Sequence, residues 1–152
     1  SETVNVVTRS VAKPVVTHVQ NSEKLIETVS ADIEALKELG LNSIAVICKS
    51  SKEAAQVFNA LKPVMDINLV GRDDAVFKHG VVIVPVYLAK GLEYDGVIIY
   101  DAGIHNYSGE SERKLLYTAC TRALHVLHVY FTGTISDLIP QPESELYDLK
   151  SK

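Results

Sequence analysis

The sequence has no hydrophobic run long enough to cross a membrane. Its longest uninterrupted apolar run, VVIVPVYLA at residues 81–89, is far shorter than the roughly 20 residues that a transmembrane helix needs. The N-terminus, SETVN, has no signal-peptide layout. We therefore expect a cytoplasmic chain without a membrane partner.

The sequence also has no excess of basic residues. Fifteen Lys and Arg residues stand against nineteen Asp and Glu residues, which gives a formal net charge of −4. The chain as a whole therefore does not attract phosphate backbones, and any contact with nucleic acid must be made by a local group of residues.

Metal-binding residue types are few and scattered. The two cysteines, Cys48 and Cys120, lie in apolar segments, which predicts two buried thiols rather than a disulfide. Of the five histidines, His125 and His128 are three residues apart on a predicted strand and so point to opposite faces of it. The sequence predicts no metal site.

The chain is instead typical of one globular α/β domain. It has 152 residues, of which 47% are hydrophobic and 22% charged. Predicted strands and helices alternate along it. The strands are at 14–20, 43–48, 66–70, 81–86, 95–101 and 125–133; the helices begin at Asn21 or Ser22, at Ser50 and at Glu110, and end near Gly40, Pro63 and Leu124. The first helix has Leu25, Val29, Ile33, Leu36 and Leu39 as its apolar positions.

This alternation predicts an open, mostly parallel sheet with right-handed crossovers. A polar turn, GRDDAVFKHG, separates two of the strands at residues 71–80, and residues 134–152 are expected to form an irregular C-terminal tail. Ligands of such sheets bind beyond the carboxyl ends of the strands, so we expect the AKGLE turn after strand 81–86 to lie at that edge.

Two segments carry the residues that favour a specific chemistry: AKGLEYDGVII at residues 89–99 and SERKLLYTACTRA at residues 111–123. In the predicted last helix, Arg122 follows Leu115 by seven residues and so projects about 20° from it, at the border of the apolar half. An ordinary explanation is an arginine whose stem covers the core edge while its head stays in water.

Together, these segments resemble motifs V and VI of the UvrD/Rep-like superfamily-one DNA helicases. The resemblance extends over most of residues 9–133 and is to the second RecA-like domain of those enzymes. It implies a RecA-like, P-loop NTPase-type fold over residues 1–133, with a mostly parallel sheet and flanking helices. The chain has no G-x-x-x-x-G-K-[ST] Walker A segment of its own.

The resemblance also implies roles for individual residues. Arg122 would be the catalytic arginine finger of an ATP hydrolase, and Thr121 would orient it. Gly91 would approach the γ-phosphate closely and Glu93 would accept a hydrogen bond from the ribose. Lys90 would lie at the same ATP site, although a solvated turn lysine explains it equally well.

The same resemblance assigns the remaining ATP contacts to a different domain. The phosphate cradle and the Mg²⁺ ion that accompanies ATP would belong to an N-terminal RecA-like domain of the same protein. This chain alone is therefore expected to be inactive, as a C-terminal fragment of a longer enzyme.

The motif V segment departs from the usual pattern at its start. Pro85 and Tyr87 stand where relatives have a Thr-x-His that serves the nucleic-acid side. Tyr87 either stacks on a base of single-stranded DNA or is a half-buried strand tyrosine.

This variant is most similar to the helicase IV-related proteins of Gram-positive bacteria, which include the RNA polymerase recycling factor HelD. It leaves two functions open: an ATP-dependent DNA helicase, or a HelD-like factor that acts on RNA polymerase with the same ATPase cycle. A helicase subunit of a repair nuclease is a third possibility, but no nuclease motif supports it.

Overall fold

The computed structural model describes residues 12–71, 79–141 and 145–152. Within these ranges, seven strands form one parallel sheet in the order β3-β4-β2-β5-β6-β1-β7. The strands are β1 (Val15–His18), β2 (Ser43–Cys48), β3 (Ile67–Leu69), β4 (Gly80–Pro85), β5 (Tyr94–Ile99), β6 (Ala123–Phe131) and β7 (Asp148–Ser151). The helices are α1 (Ser22–Glu38), α2 (Ser51–Leu61) and α3 (Glu110–Cys120), and a 3-10 turn spans Val86–Leu88.

The predicted α/β sheet is confirmed, and it is wholly parallel in the described ranges. Residues 72–78 of the predicted polar turn at 71–80 lie outside the described residues, as do residues 1–11 of the predicted domain. None of the described helices is long and apolar enough to span a membrane.

Helices cover the central strands on both faces. On one face, α1 and α2 pack on residues such as Ile44, Ile83 and Ile98. On the other, α3 packs on a second apolar layer that includes Ala45 and Val97. All six residues of β2 are consequently buried, which explains its continuous apolar run.

Side-chain caps fix the first two helices where the sequence predicts them. The Asn21 side chain accepts a hydrogen bond from the Lys24 amide at 2.8 Å, and the Ser50 hydroxyl accepts one from the Glu53 amide at 3.1 Å. Leu39, the last of the apolar positions of the first helix, does not lie in the core. It follows the last turn of α1 and is 75% exposed.

The third helix ends earlier than the sequence predicts. It stops at Cys120 rather than Leu124, and Thr121 is its C-cap. Ala123 already belongs to β6, where it pairs with Tyr94 of β5. Arg122 therefore lies beyond the helix, because hydrogen bonding to the sheet outweighs the helix propensity of this segment.

The expectation of an irregular C-terminal tail is wrong at its end. Strand β7 pairs with β1 in parallel, and it forms one edge of the sheet. Just before it, Tyr147 is buried and its hydroxyl donates to the Pro140 carbonyl at 2.6 Å. The segment is packed against the domain rather than detached from it.

Candidate functional site

Arg122 is held in place by three hydrogen bonds of its guanidinium group. Nη1 donates to the Leu92 carbonyl at 3.1 Å. Nε donates to the Thr118 carbonyl at 3.1 Å, and Nη2 donates to Thr121 Oγ1 at 3.0 Å. The side chain thus joins the last turn of α3 to the AKGLE turn.

The backbone of Arg122 is attached to the same turn. The Tyr94 amide donates to the Arg122 carbonyl at 2.9 Å, while the Leu92 carbonyl accepts a hydrogen bond from the Arg122 guanidinium. The residues on either side of Glu93 therefore bind Arg122 at both of its ends. The expectation that Arg122 and the turn lie together is confirmed, whereas their roles stay predictions.

Thr121, which is predicted to orient Arg122, contacts the guanidinium directly. Thr121 is 7% exposed, and its hydroxyl donates to the Thr118 carbonyl at 2.8 Å while accepting from Arg122. The hydroxyl proton is therefore donated to the helix backbone, and an oxygen lone pair accepts the hydrogen bond from the guanidinium. Thr121 can in this way hold Arg122 in one orientation.

The turn itself requires glycine for its backbone shape. Gly91 has a φ of +82°, in the left-handed region that residues with a Cβ rarely adopt. A Cβ built there would have no heavy atom within 4 Å, so the space in front of Gly91 is open. Lys90 and Glu93, on either side of Gly91, are both exposed. The turn thus presents an open backbone surface with two charged side chains.

These groups lie at the amino edge of the sheet, which corrects the expectation of a carboxyl-edge site. The connection after β4 starts at the carboxyl edge but returns to Tyr94, where β5 begins. Helix α3 returns in the same way to Ala123, which pairs with Tyr94 at the start of β6. A parallel crossover must carry the chain back to the other edge, and Arg122, one residue before Ala123, lies there.

Arg122 retains donors that could bind a phosphate. A guanidinium has five N–H groups, and the three contacts above use one on each nitrogen. One N–H therefore remains on each terminal nitrogen of this half-buried side chain. N–H groups left over on a guanidinium can be donated to phosphate oxygens.

A second polar cluster, which the sequence does not predict, lies at the carboxyl edge. Lys49 follows β2 directly, and its ammonium group donates to the Asn106 carbonyl at 2.6 Å and to the Glu112 carboxylate. It also lies 5.2 Å from the centre of the Tyr107 ring. The signal in the sequence is one lysine immediately after a fully buried strand.

Asp101 fixes the backbone at the end of β5. It has a φ of +50° and is 8% exposed. Its Oδ1 accepts from the amides of Thr132 at 2.9 Å and Gly103 at 3.2 Å. Its Oδ2 accepts from the Thr132 hydroxyl at 2.9 Å and lies 3.0 Å from His105 Nε2. Asp101 thus joins the loop after β5 to the end of β6.

The two glutamates of this edge have pKa values shifted in opposite directions. Burial raises the pKa of Glu53, although hydrogen bonds from the Lys49 amide and the Asn106 side chain oppose the shift. The hydrogen bond from Lys49 lowers the pKa of Glu112, with a further contribution from the Ser108 amide. Glu112 is therefore the carboxylate that the edge stabilises in its charged form.

Tyr87 lies at the carboxyl end of β4, in the 3-10 turn rather than in a strand. It is 47% exposed, and its hydroxyl lies 2.7 Å from the Ser51 hydroxyl. The strand position in one of the two alternatives for Tyr87 is therefore wrong, whereas its stacking on a base stays a prediction. Pro85, the other departure from the family pattern, is the last residue of β4.

The two cysteines are free and buried, as predicted. Within the described parts of the chain, no three His, Cys, Asp or Glu side chains converge as a metal site.

Known proteins relate the chain to helicases. The family model described as the UvrD-like helicase C-terminal domain matches residues 80–130, which include the AKGLE turn and Arg122. No curated protein sequence matches the chain significantly.

Among solved structures, the C-terminal domain of a possible DNA helicase from Lactobacillus plantarum WCFS1 is 32% identical. The alignment covers 97% of this chain and 92% of that one, with a TM-score of 0.84. The C-terminal domain of the DEAD-box protein Dbp5 is 14% identical over 80% of this chain and 77% of that one, with a TM-score of 0.59.

An arterivirus helicase, nonstructural protein 10 in complex with DNA, is 10% identical. That alignment covers 99% of this chain and 37% of the viral one, with a TM-score of 0.56. The last two likenesses concern the fold alone, which is the RecA-like fold of helicase C-terminal domains. From the matched motifs and the similarity over nearly the whole chain, we conclude that this protein belongs to the UvrD-like helicase C-terminal domain family.

Proposed function

We propose that this chain is the second motor domain of an ATP-dependent DNA helicase and that Arg122 is its arginine finger. ATP would be bound mainly by an N-terminal RecA-like domain of the same protein, which would also hold Mg²⁺. Arg122 would reach across the cleft and stabilise the negative charge that develops on the γ-phosphate during hydrolysis.

The observation that carries this proposal is the contact between Arg122 and the AKGLE turn. Its guanidinium is fixed by Leu92, Thr118 and Thr121, and two N–H groups remain for a phosphate. A donor group that is already oriented needs no rearrangement when charge develops, which is the condition for strong electrostatic catalysis.

The turn supports the same assignment with its other residues. Gly91 presents bare backbone to open space, so a phosphate can approach it without meeting a side chain. The exposed Glu93 carboxylate is available to a ribose hydroxyl, and the exposed Lys90 ammonium to a phosphate oxygen. In this proposal, all three contact ATP from the side opposite the Walker A domain.

The nucleic acid would lie nearer the carboxyl edge. There the exposed Tyr87 ring is held by its hydroxyl contact with Ser51. A fixed aromatic ring can stack on a base of single-stranded DNA whatever the sequence, because every base has a π face. ATP and DNA would then contact opposite edges of one sheet.

The test uses the whole enzyme, with its N-terminal domain. DNA-stimulated ATP hydrolysis should fall by about 10³-fold or more in Arg122→Ala, and ATP binding should weaken much less. Arg122→Lys should also lose most activity, because an ammonium group cannot reproduce the planar set of donors. Full turnover in Arg122→Ala would rule out the arginine-finger role.

A second candidate is a HelD-like factor that uses the same ATP cycle to release RNA polymerase from nucleic acid. Pro85 and Tyr87 favour it, since they replace the Thr-x-His that serves the nucleic-acid side in relatives. Pull-down of RNA polymerase by the whole protein, together with a strand-separation assay, distinguishes the two. Polymerase binding without strand separation supports the second candidate, and the reverse result supports the helicase.

A further inference from the structure

A pocket of about 320 Å³ opens at the carboxyl edge between the first turns of α1 and α2. Tyr100 and Asp101, which directly follow β5, also line it. The chain leaves the neighbouring strands β2 and β5 toward opposite faces of the sheet here, into α2 and α3. Open α/β sheets bind ligands in crevices at such points. We call this cavity the Tyr100 pocket.

The charged side chains that line the Tyr100 pocket are all acidic. They are Glu23, Glu53 and Asp101, and no Lys, Arg or His of the described residues lines it. Glu23 is exposed, Glu53 is half-buried and Asp101 is buried. Burial raises the pKa of Glu53, and repulsion from Asp101 adds to this shift. A cation in the pocket would offset this repulsion.

The cations near the pocket are engaged elsewhere. The Lys49 ammonium donates to the Asn106 carbonyl and to a carboxylate of α3, so only the Lys49 backbone amide binds Glu53, at 2.9 Å. The other donor to Glu53 is the neutral side-chain amide of Asn106, at 3.1 Å. His105 contacts Asp101 but does not line the pocket. The pocket therefore keeps a net negative charge.

The Tyr100 hydroxyl is the second feature that indicates a ligand. Tyr100 lines the pocket and is only 7% exposed. Its hydroxyl makes no hydrogen bond to any residue that the structure describes. Buried hydroxyls are normally hydrogen-bonded, because an unsatisfied polar group costs free energy. A polar ligand in the pocket would supply the partner that this hydroxyl lacks.

We propose that the Tyr100 pocket binds the guanidinium group of an arginine side chain on a protein partner. The carboxylates of Glu53 and Glu23 and the Tyr100 hydroxyl would accept its hydrogen bonds. A guanidinium carries five N–H donors in one plane and is more weakly hydrated than an ammonium group, which suits a half-buried acidic site. Ile26 and Val57 also line the pocket and would contact the aliphatic stem of the arginine.

An anionic ligand does not fit the pocket. Helix N-termini attract anions, but the first turns of α1 and α2 already carry Glu23 and Glu53. The three carboxylates that line the pocket repel a phosphate group, so the backbone of a nucleic acid is excluded as its occupant. The pocket is at the edge of the sheet opposite to Arg122, and its ligand does not depend on the proposed ATP hydrolysis.

The test is an NMR titration of this chain, labelled with ¹⁵N, by the peptide acetyl-Gly-Arg-Gly-amide. Amide signals of residues 22–26, 53–57 and 100–101 should shift. The same peptide with citrulline, the neutral isostere of arginine, should bind about tenfold more weakly, because it lacks the charge. The lysine peptide should also bind more weakly. Free arginine should do so too, because its α-carboxylate is repelled by the acidic pocket.

Three results of this titration would overturn the proposal. Equal affinities for the arginine and citrulline peptides would mean that the pocket does not recognise charge. A lysine peptide that binds as tightly as the arginine peptide would mean that the pocket has no preference for a guanidinium. Free arginine that binds as tightly as the peptide would make this a site for a small molecule rather than for a protein partner.

Matched variants separate binding from stability. Tyr100→Phe removes a hydroxyl that makes no hydrogen bond in this structure, so the melting temperature should not fall, whereas the arginine peptide should bind about fivefold more weakly. Glu23→Gln should also weaken binding. Glu34→Gln makes the same charge change on α1 outside the pocket and should leave the affinity unchanged. Unchanged affinity in Tyr100→Phe, or equal effects of Glu23→Gln and Glu34→Gln, would contradict the pocket as the binding site.

Discussion

Substitution of Asp101 should show how strongly the carboxyl edge depends on one buried carboxylate. In Asp101→Ala, the amides of Gly103 and Thr132 lose their shared acceptor. Hydrogen bonds to a charged group contribute about 1.5–3 kcal/mol each. Alanine at a φ of +50° adds about 1 kcal/mol of backbone cost.

Because part of this loss is recovered by water at the half-buried Thr132, we expect a destabilisation of about 3–4 kcal/mol in total. At roughly 2–4 °C per kcal/mol for a domain of this size, the melting temperature should fall by about 6–16 °C. Asp101→Asn is the matched variant. Its amide oxygen can still accept from both backbone amides, and asparagine tolerates the left-handed conformation.

We therefore expect Asp101→Asn to cost only about 1 kcal/mol, from the lost Oδ2 contacts with the Thr132 hydroxyl and His105. Thermal and urea unfolding, followed by circular dichroism, measure both variants. Equal destabilisation by the two substitutions would contradict this role of Asp101, since it would mean that the backbone amides do not depend on its carboxylate. A loss below 1 kcal/mol in Asp101→Ala would refute it as well.

Three further predictions concern other parts of the molecule. The hydrogen bond from Lys49 lowers the pKa of Glu112. The charged form of Glu112 therefore stabilises the fold above the unfolded-state pKa of about 4.3, and this stabilisation is lost as the pH falls through the lower folded-state pKa. Urea unfolding between pH 6 and pH 3 should therefore show a smaller loss of stability on acidification in Glu112→Gln than in the wild type; equal losses would contradict the assignment. Tyr147→Ala should cost about 3 kcal/mol in the same unfolding assay, because it removes a buried ring and the bond to Pro140, whereas an irregular, detached tail would lose nothing. Gly91→Ala should lower the melting temperature by only about 2–4 °C, because it adds backbone strain of about 1 kcal/mol without a clash. It should raise the KM of the whole enzyme for ATP, and an unchanged KM would mean that Gly91 is not part of the ATP site.

The sequence predicted the central elements because their signals are local. The apolar run of β2 and the caps at Asn21 and Ser50 depend on neighbouring residues, and all were found where expected. The resemblance to motifs V and VI also predicted that Arg122 lies near the AKGLE turn, as it does. The prediction of where α3 ends was wrong because no glycine or proline marks that point in the sequence. The pairing of Ala123 with Tyr94 across the sheet determines it.

What the sequence did not predict depends on contacts between distant residues. Lys49 contacts Asn106 and Glu112 only once β2, the loop after β5 and the start of α3 lie side by side, and nothing in the sequence around Asn106 or Glu112 indicates these contacts. The prediction that the AKGLE turn lies at the carboxyl edge was also wrong, since the carboxyl-edge rule describes ligands bound by one sheet alone. Here the proposed ligand belongs to a cleft between two domains, and the groups that cross the cleft can come from the amino edge.

The most direct test of the account is the affinity of the whole enzyme for a transition-state mimic, ADP with aluminium fluoride and Mg²⁺, compared with ADP alone. If Arg122 acts on the charge that develops during hydrolysis, Arg122→Ala should weaken binding of the mimic by about 10³-fold and binding of ADP only slightly. If Arg122→Ala weakens the binding of both ligands equally, or weakens the binding of neither, Arg122 is not the arginine finger.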